Sequence, residues 1–110
     1  MANAFKNKTQ REVGTALTAI GSYTVGGSTE TTVIGLTIAN TTTVAIEVDA
    51  TLNDGTNDFY IVKNAPVPAG GALVAVGGDQ KVVMMPGNSI KVKSDTATSA
   101  DVIMSILEIT

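Results

Sequence analysis

Short aliphatic and β-branched runs, broken roughly every 8 to 12 residues by turn chemistry, run through this chain, and no ten-residue segment keeps a capped helical period. The chain holds 16 Thr, 13 Val and 9 Ile, residues whose branching at Cβ stiffens χ1 and suits a pleated surface. Runs of this kind fold as strands. With two Phe, two Tyr and no Trp, small branched side chains have to fill the core. The 110 residues suffice for one domain burying roughly two-thirds of its unfolded surface.

Residues 1 to about 12 are polar and follow neither the strand nor the helix period, so they read as an arm that orders on contact. From Val13 the chain reads as short strands, interrupted at Ile20-Gly21-Ser22 and Gly26-Gly27-Ser28. Thr31 to Ala39 alternates, with Ile34, Leu36 and Ile38 on one side and Val33, Gly35, Thr37 and Ala39 on the other, and neither face is charged. Val44 to Leu52 is the clearest half-buried strand: Val44, Ile46, Val48, Ala50 and Leu52 face one way, Glu47, Asp49 and Thr51 the other. Asn53 to Asn57 tolerates positive φ and joins it, as an antiparallel hairpin, to a strand over Asp58 to Lys63. Pro66 and Pro68 exclude a central strand around Val67. Ala72 to Val76, Gln80 to Met85, Ser89 to Lys93 and Asp101 to Ile109 supply the remaining strands, with Lys91 and Lys93 outward. The pattern predicts an all-β fold, an antiparallel jelly-roll-like sandwich of about eight strands over residues 13–110, preceded by an extended basic arm over 1–12.

The absence of His and Cys removes Ser-His-Asp and Cys-His catalysis, zinc-thiolate sites and disulfides together. Carboxylates remain. Glu47 and Asp49, two apart on one strand face, stand about 7 Å apart, the separation of an inverting glycosidase pair. That face carries no aromatic ring to stack a sugar, so it reads as a solvated outer surface. Asp54, Asn57 and Asp58 offer calcium-type oxygens without the EF-hand spacing, and Asx turns explain them equally well. The glycine pairs sit in no phosphate-binding motif and read as turns. No catalytic, cofactor-binding or metal residue is assigned, and neither a cofactor nor a small-molecule substrate is expected.

The net charge of −3 is unevenly placed: Lys6, Lys8 and Arg11 give +3 in the first eleven residues, and the other 99 carry four Lys against ten acids. An acidic body does not bind phosphate backbones, so no nucleic-acid partner is expected. No stretch approaches the roughly twenty apolar residues of a membrane helix, and residues 1–10 lack the apolar centre of a signal peptide. The chain is expected to be soluble and unexported. An arm opposite in sign to its own body suits self-association, which makes Phe5, Lys6, Lys8 and Arg11 candidate interface residues. Met84 and Met85 are further candidates, since thioethers fit irregular partners, although core filling at a strand end is the stronger reading. Thr- and Val-rich strands with few charges leave apolar faces to cover, so a homo-oligomer, a trimer or dimer, is expected.

The stretches Tyr60 to Gly71 (YIVKNAPVPAGG), Val76 to Val83 (VGGDQKVV), Pro86 to Val92 (PGNSIKV) and Asp101 to Glu108 (DVIMSILE), with Thr32 to Asn40 (TVIGLTIAN) upstream, resemble small tailed-bacteriophage virion proteins. The resemblance covers residues 22–109. It implies a β-sandwich head decoration, or cement, protein that grips the major capsid protein or other virion subunits. Such a protein is made in the host cytoplasm and ends on the virion, at the capsid surface, with no catalytic residues. The alternatives are a neck, tail or fibre-attachment module, and a carbohydrate-binding sandwich in which Phe5, Tyr23, Phe59 and Tyr60 would supply the aromatic platform.

Overall fold

The protein is described by a computed structural model covering residues 3–110. Alternating inward side chains and turn-forming breaks divide it into β1 (Asn3–Val13), β2 (Thr18–Ala19), β3 (Glu30–Asn40), β4 (Ile46–Asn53), β5 (Asp58–Val67), β6 (Ala72–Val76), β7 (Val82–Met84), β8 (Ser89–Ser94) and β9 (Ala100–Ile109). A 3-10 turn, Ile20–Ser22, follows β2. The strands pair antiparallel in two sheets: β1-β9-β3-β6, with β7 on the other half of the β3 edge, and β2-β8-β4-β5. The chain passes between the sheets at most connections, the winding of a jelly roll. Strand spacing had predicted that fold.

Between the sheets lies a core of branched side chains. Leu36 and Ile38 of β3, Met104 and Ile106 of β9, Ile46 and Val48 of β4, and Ile90 and Val92 of β8 are all essentially inaccessible. Tyr23 is the one aromatic residue in this cluster.

Three local departures from the simple alternation have identifiable causes. In β3, Val33 and Gly35 oppose neighbouring residues of β9, leaving Ile34 as an extra residue in a bulge. The bulge changes the face, so Val33 joins Leu36 and Ile38 in the core while Ile34 stays partly exposed, correcting the expected side for both. Val44, expected to point inward, precedes β4 and is 58% exposed. β5 runs on through Pro66, which faces Glu47, because β5 is an edge strand where a missing N–H interrupts no ladder.

The segment expected as a separate arm is instead β1, which crosses the anticipated boundary at residue 12 and runs along β9 from Asn3↔Ile109 to Gln10↔Val102. It is extended, but docked. Its two faces are both largely polar, so backbone pairing with β9 makes the strand and no apolar alternation announces it.

Candidate assembly surface

The two outward faces of the sandwich differ in chemistry. On the second sheet, β4 sends out Glu47, Asp49 and Thr51, and β8 sends out Lys91 and Lys93. Asp49 is only 5% exposed; it accepts the Asn64 N–H at 2.7 Å and lies 3.7 Å from Lys93 Nζ. Of the two carboxylates read from the sequence, Glu47 therefore faces solvent while Asp49 is sealed and engaged. The arrangement lacks the two open carboxylates that flank a glycosidic bond in hydrolysis.

The first sheet presents a different face. Two cross-strand rows span it: Phe5, Leu107, Thr32 and Val83 in one, Thr9, Ile103, Thr37 and Val74 in the other. Between them runs a row of small or short residues, Asn7, Ser105 and Gly35. Ile34, turned out by the bulge, and Phe5 flank this low row, making a shallow groove of about 350 Å³. Of the eight exposed large apolar residues among the described ones, four lie on this face: Phe5 (77%), Val74 (64%), Val83 (58%) and Ile103 (55%). Its cross-strand rows carry no charge; Arg11 and Asp101 lie at one end, Glu30 at the other, and Lys6 also lines the groove. Monomeric proteins seldom leave several large apolar side chains together on one sheet face.

The six interface candidates separate. Phe5 lies on the apolar face and Arg11 is exposed beside Glu12. Met85 is half exposed next to the sheet. Met84 is completely buried, a core residue of β7, and so is corrected from the interface list. Lys6 and Lys8 point the other way, over the rim of the sandwich. Lys6 Nζ lies 2.8 Å from Glu108 Oε1, and Lys8 Nζ lies 5.0 Å from the centre of the Tyr23 ring. The Tyr23 hydroxyl donates to Glu108 Oε2 at 2.6 Å and shares a 2.8 Å hydrogen bond with Thr31 Oγ1. Lys6, and then the Tyr23 hydroxyl, hold the Glu108 carboxyl below the usual carboxylate range. Burial, and then the bond to Glu108, push the Tyr23 phenol up.

Ile103, Val74, Val83 and Ile34 were not among the sequence candidates. Their signal was present in β9, where apolar residues fall on both faces of Asp101 to Ile109, and in the uncharged outer positions of β3.

Elsewhere, Phe59 and Tyr60 are successive residues in a regular stretch of β5 and so project to opposite sides. Lys63 Nζ sits 4.9 Å over the Tyr60 ring, and Tyr23 is buried. The four aromatic residues thus form no common platform. In the β4–β5 turn, Asp54 Oδ1 accepts the N–H groups of Thr56 and Asn57 at 2.9 and 2.7 Å, which lower its pKa, Asn57 foremost. Asp58 Oδ1 accepts from Asn53 Nδ2 at 2.9 Å. Among the described residues, no three acidic, His or Cys side chains gather as a metal site.

Solved structures share the fold. A chain from the acid-stable capsid of the Helicobacter pylori bacteriophage KHP30 superposes with a TM-score of 0.57 at 8% identity, covering 100% of this chain and 94% of that one. A chain from Bacillus endospore appendages, a family of disulfide-linked pili, gives 0.57 at 9% identity over 99% of this chain and 87% of that one. At such identities the shared property is the sandwich itself. No protein-family model matches the sequence, and no curated protein does.

Proposed function

We propose that this chain is a non-enzymatic structural subunit of a virion, and more specifically a decoration protein that covers the assembled head shell. The apolar outer face of the first sheet carries the reading, because its exposed Phe5, Ile103, Val74 and Val83 call for a protein surface to cover them. The sandwich is shared with a phage capsid chain and with a pilus chain, and both belong to assemblies of repeated subunits. A disulfide-linked filament does not transfer to a chain without Cys. On this reading the partners are the major capsid protein and further copies of the chain, and the second sheet, with its mixed charges, faces solvent.

Immunogold labelling of particles purified from cells that express the gene tests the proposal. Label spread over icosahedral heads supports a decoration protein. Label restricted to a single vertex or a tail replaces it with a neck or tail component, and label on cell-surface filaments alone overturns the virion reading.

A further inference from the structure

Strand β1 is held to its own subunit by rim chemistry and not by core packing. Of its residues only Val13, at its end, belongs to the core. Apart from Ala4, the side chains it turns inward are polar, and three end on a partner at the rim: Lys6 on Glu108, Lys8 on the Tyr23 ring, and Gln10 Oε1 on the Gly21 N–H at 3.2 Å. The neighbouring β9 turns Val102, Met104 and Ile106 fully into the core. Lifting β1 from β9 therefore uncovers ladder amides, a rim of polar groups and the Tyr23 ring, but withdraws no side chain before Val13 from the hydrophobic core.

The strand also has a hinge. Its register with β9 slips between Gln10 and Val13, and within the slip Glu12 sits at φ 57, the left-handed region that side chains other than glycine enter at a cost. Gly14 follows directly.

We propose that β1 is an exchange strand: β1 of one copy lies along β9 of a second copy of this chain, hinged at Glu12 to Gly14. Every group that β1 meets belongs to the same sequence, so a second copy offers the same register, the same Glu108 for Lys6 and the same Tyr23 for Lys8. Exchange trades equal contacts, and the balance is set by concentration and by the strain at Glu12. Simple addition of a foreign strand to the open edge of β1 is the less favoured mode, since charged edge strands resist pairing. The exchange links subunits whatever surface they cover, so its test needs no particle and stands apart from the labelling experiment.

Thr9 and Ile103 oppose each other across β1 and β9 on the outer face, at a separation that antiparallel neighbours share with disulfides. The chain has no Cys of its own. Untagged Thr9→Cys and tagged Ile103→Cys are mixed, unfolded, refolded together at high concentration and oxidised. Exchange gives a mixed disulfide joining one chain of each kind as the main product. Links only between like variants, or no link at all, overturn the proposal. So does a Thr9→Cys/Ile103→Cys double variant that closes within one chain at every concentration. Adding Glu12→Gly to both single variants relaxes the closed form and should lower the mixed product about five-fold; an unchanged yield removes the hinge from the account.

Discussion

The Tyr23 hydroxyl donates to Glu108 Oε2 at 2.6 Å while Lys6 approaches the other carboxylate oxygen at 2.8 Å, so the contact between β1 and the body carries a pH window. Glu108 has its folded pKa lowered, by Lys6 first and Tyr23 second. Its contribution is present above the unfolded carboxyl value of about 4.3 and is lost as pH falls through the folded value. Tyr23 has its folded pKa raised, by burial first. Its contribution is present below the unfolded value of about 10 and is lost as pH rises through the folded one. Thermal melts across pH should therefore fall off on both flanks. Tyr23→Phe should cost about 1 to 2 kcal/mol at neutral pH and flatten the alkaline flank. A Tyr23→Phe protein with the wild-type pH profile would show that the bond is not formed in solution.

Adjacent methionines should behave oppositely. Met84 is completely buried and Met85 is 48% exposed, so truncating the first opens a cavity and truncating the second removes only surface. Met84→Ala should lose about 2 to 5 kcal/mol in chemical denaturation, and Met85→Ala should stay within about 0.5 kcal/mol of the parent. Equal losses at the two positions would contradict the assignment of Met84 to the core.

Sequence legibility followed burial. β4 and β9 were readable because one face of each meets the core, and the turn at Asn53 to Asn57 was readable because its residue types admit few other conformations. β1 was not readable as a docked strand, since its inward side chains are Lys and Gln reaching a rim built by residues 21, 23 and 108. The side of Ile34 was misplaced because a single inserted residue reverses alternation without any compositional mark. The candidate surface suffered most. Charge drew attention to Lys6 and Lys8, which are engaged within the subunit, whereas the apolar rows exist only once β1, β9, β3, β6 and β7 are laid side by side.

The β4–β5 turn is closed by its own hydrogen bonds. Asp54 Oδ1 already receives the N–H groups of Thr56 and Asn57, and Gly55 at φ 100 completes the bend. Millimolar calcium or a chelator should leave the thermal midpoint unchanged, while Asp54→Ala should lower it. Because these bonds depress the Asp54 pKa, the stabilisation they give is present above the unfolded carboxyl range and disappears as pH falls through the folded value. The difference between parent and Asp54→Ala should therefore narrow in acid. A rise in midpoint with calcium would instead show that the loop rearranges around the ion.

The decisive variants for assembly lie in the row through Thr9, Ile103, Thr37 and Val74. Ile103 and Val74 flank Thr37 from opposite sides and are 55% and 64% exposed, so charge placed there costs the isolated subunit little. In a covered interface the same charge is desolvated without a partner, a penalty of several kcal/mol. An Ile103→Asp/Val74→Asp protein should keep the parent's melting behaviour, within about 1 kcal/mol, yet bind at least ten-fold more weakly to particles stripped of the native chain, read by co-sedimentation. Glu47→Lys on the opposite sheet is the matched control, exposed and outward but outside the apolar rows, and should bind as the parent does. If the control weakens binding and the double variant does not, the contact lies on the second sheet and the apolar face has another occupant.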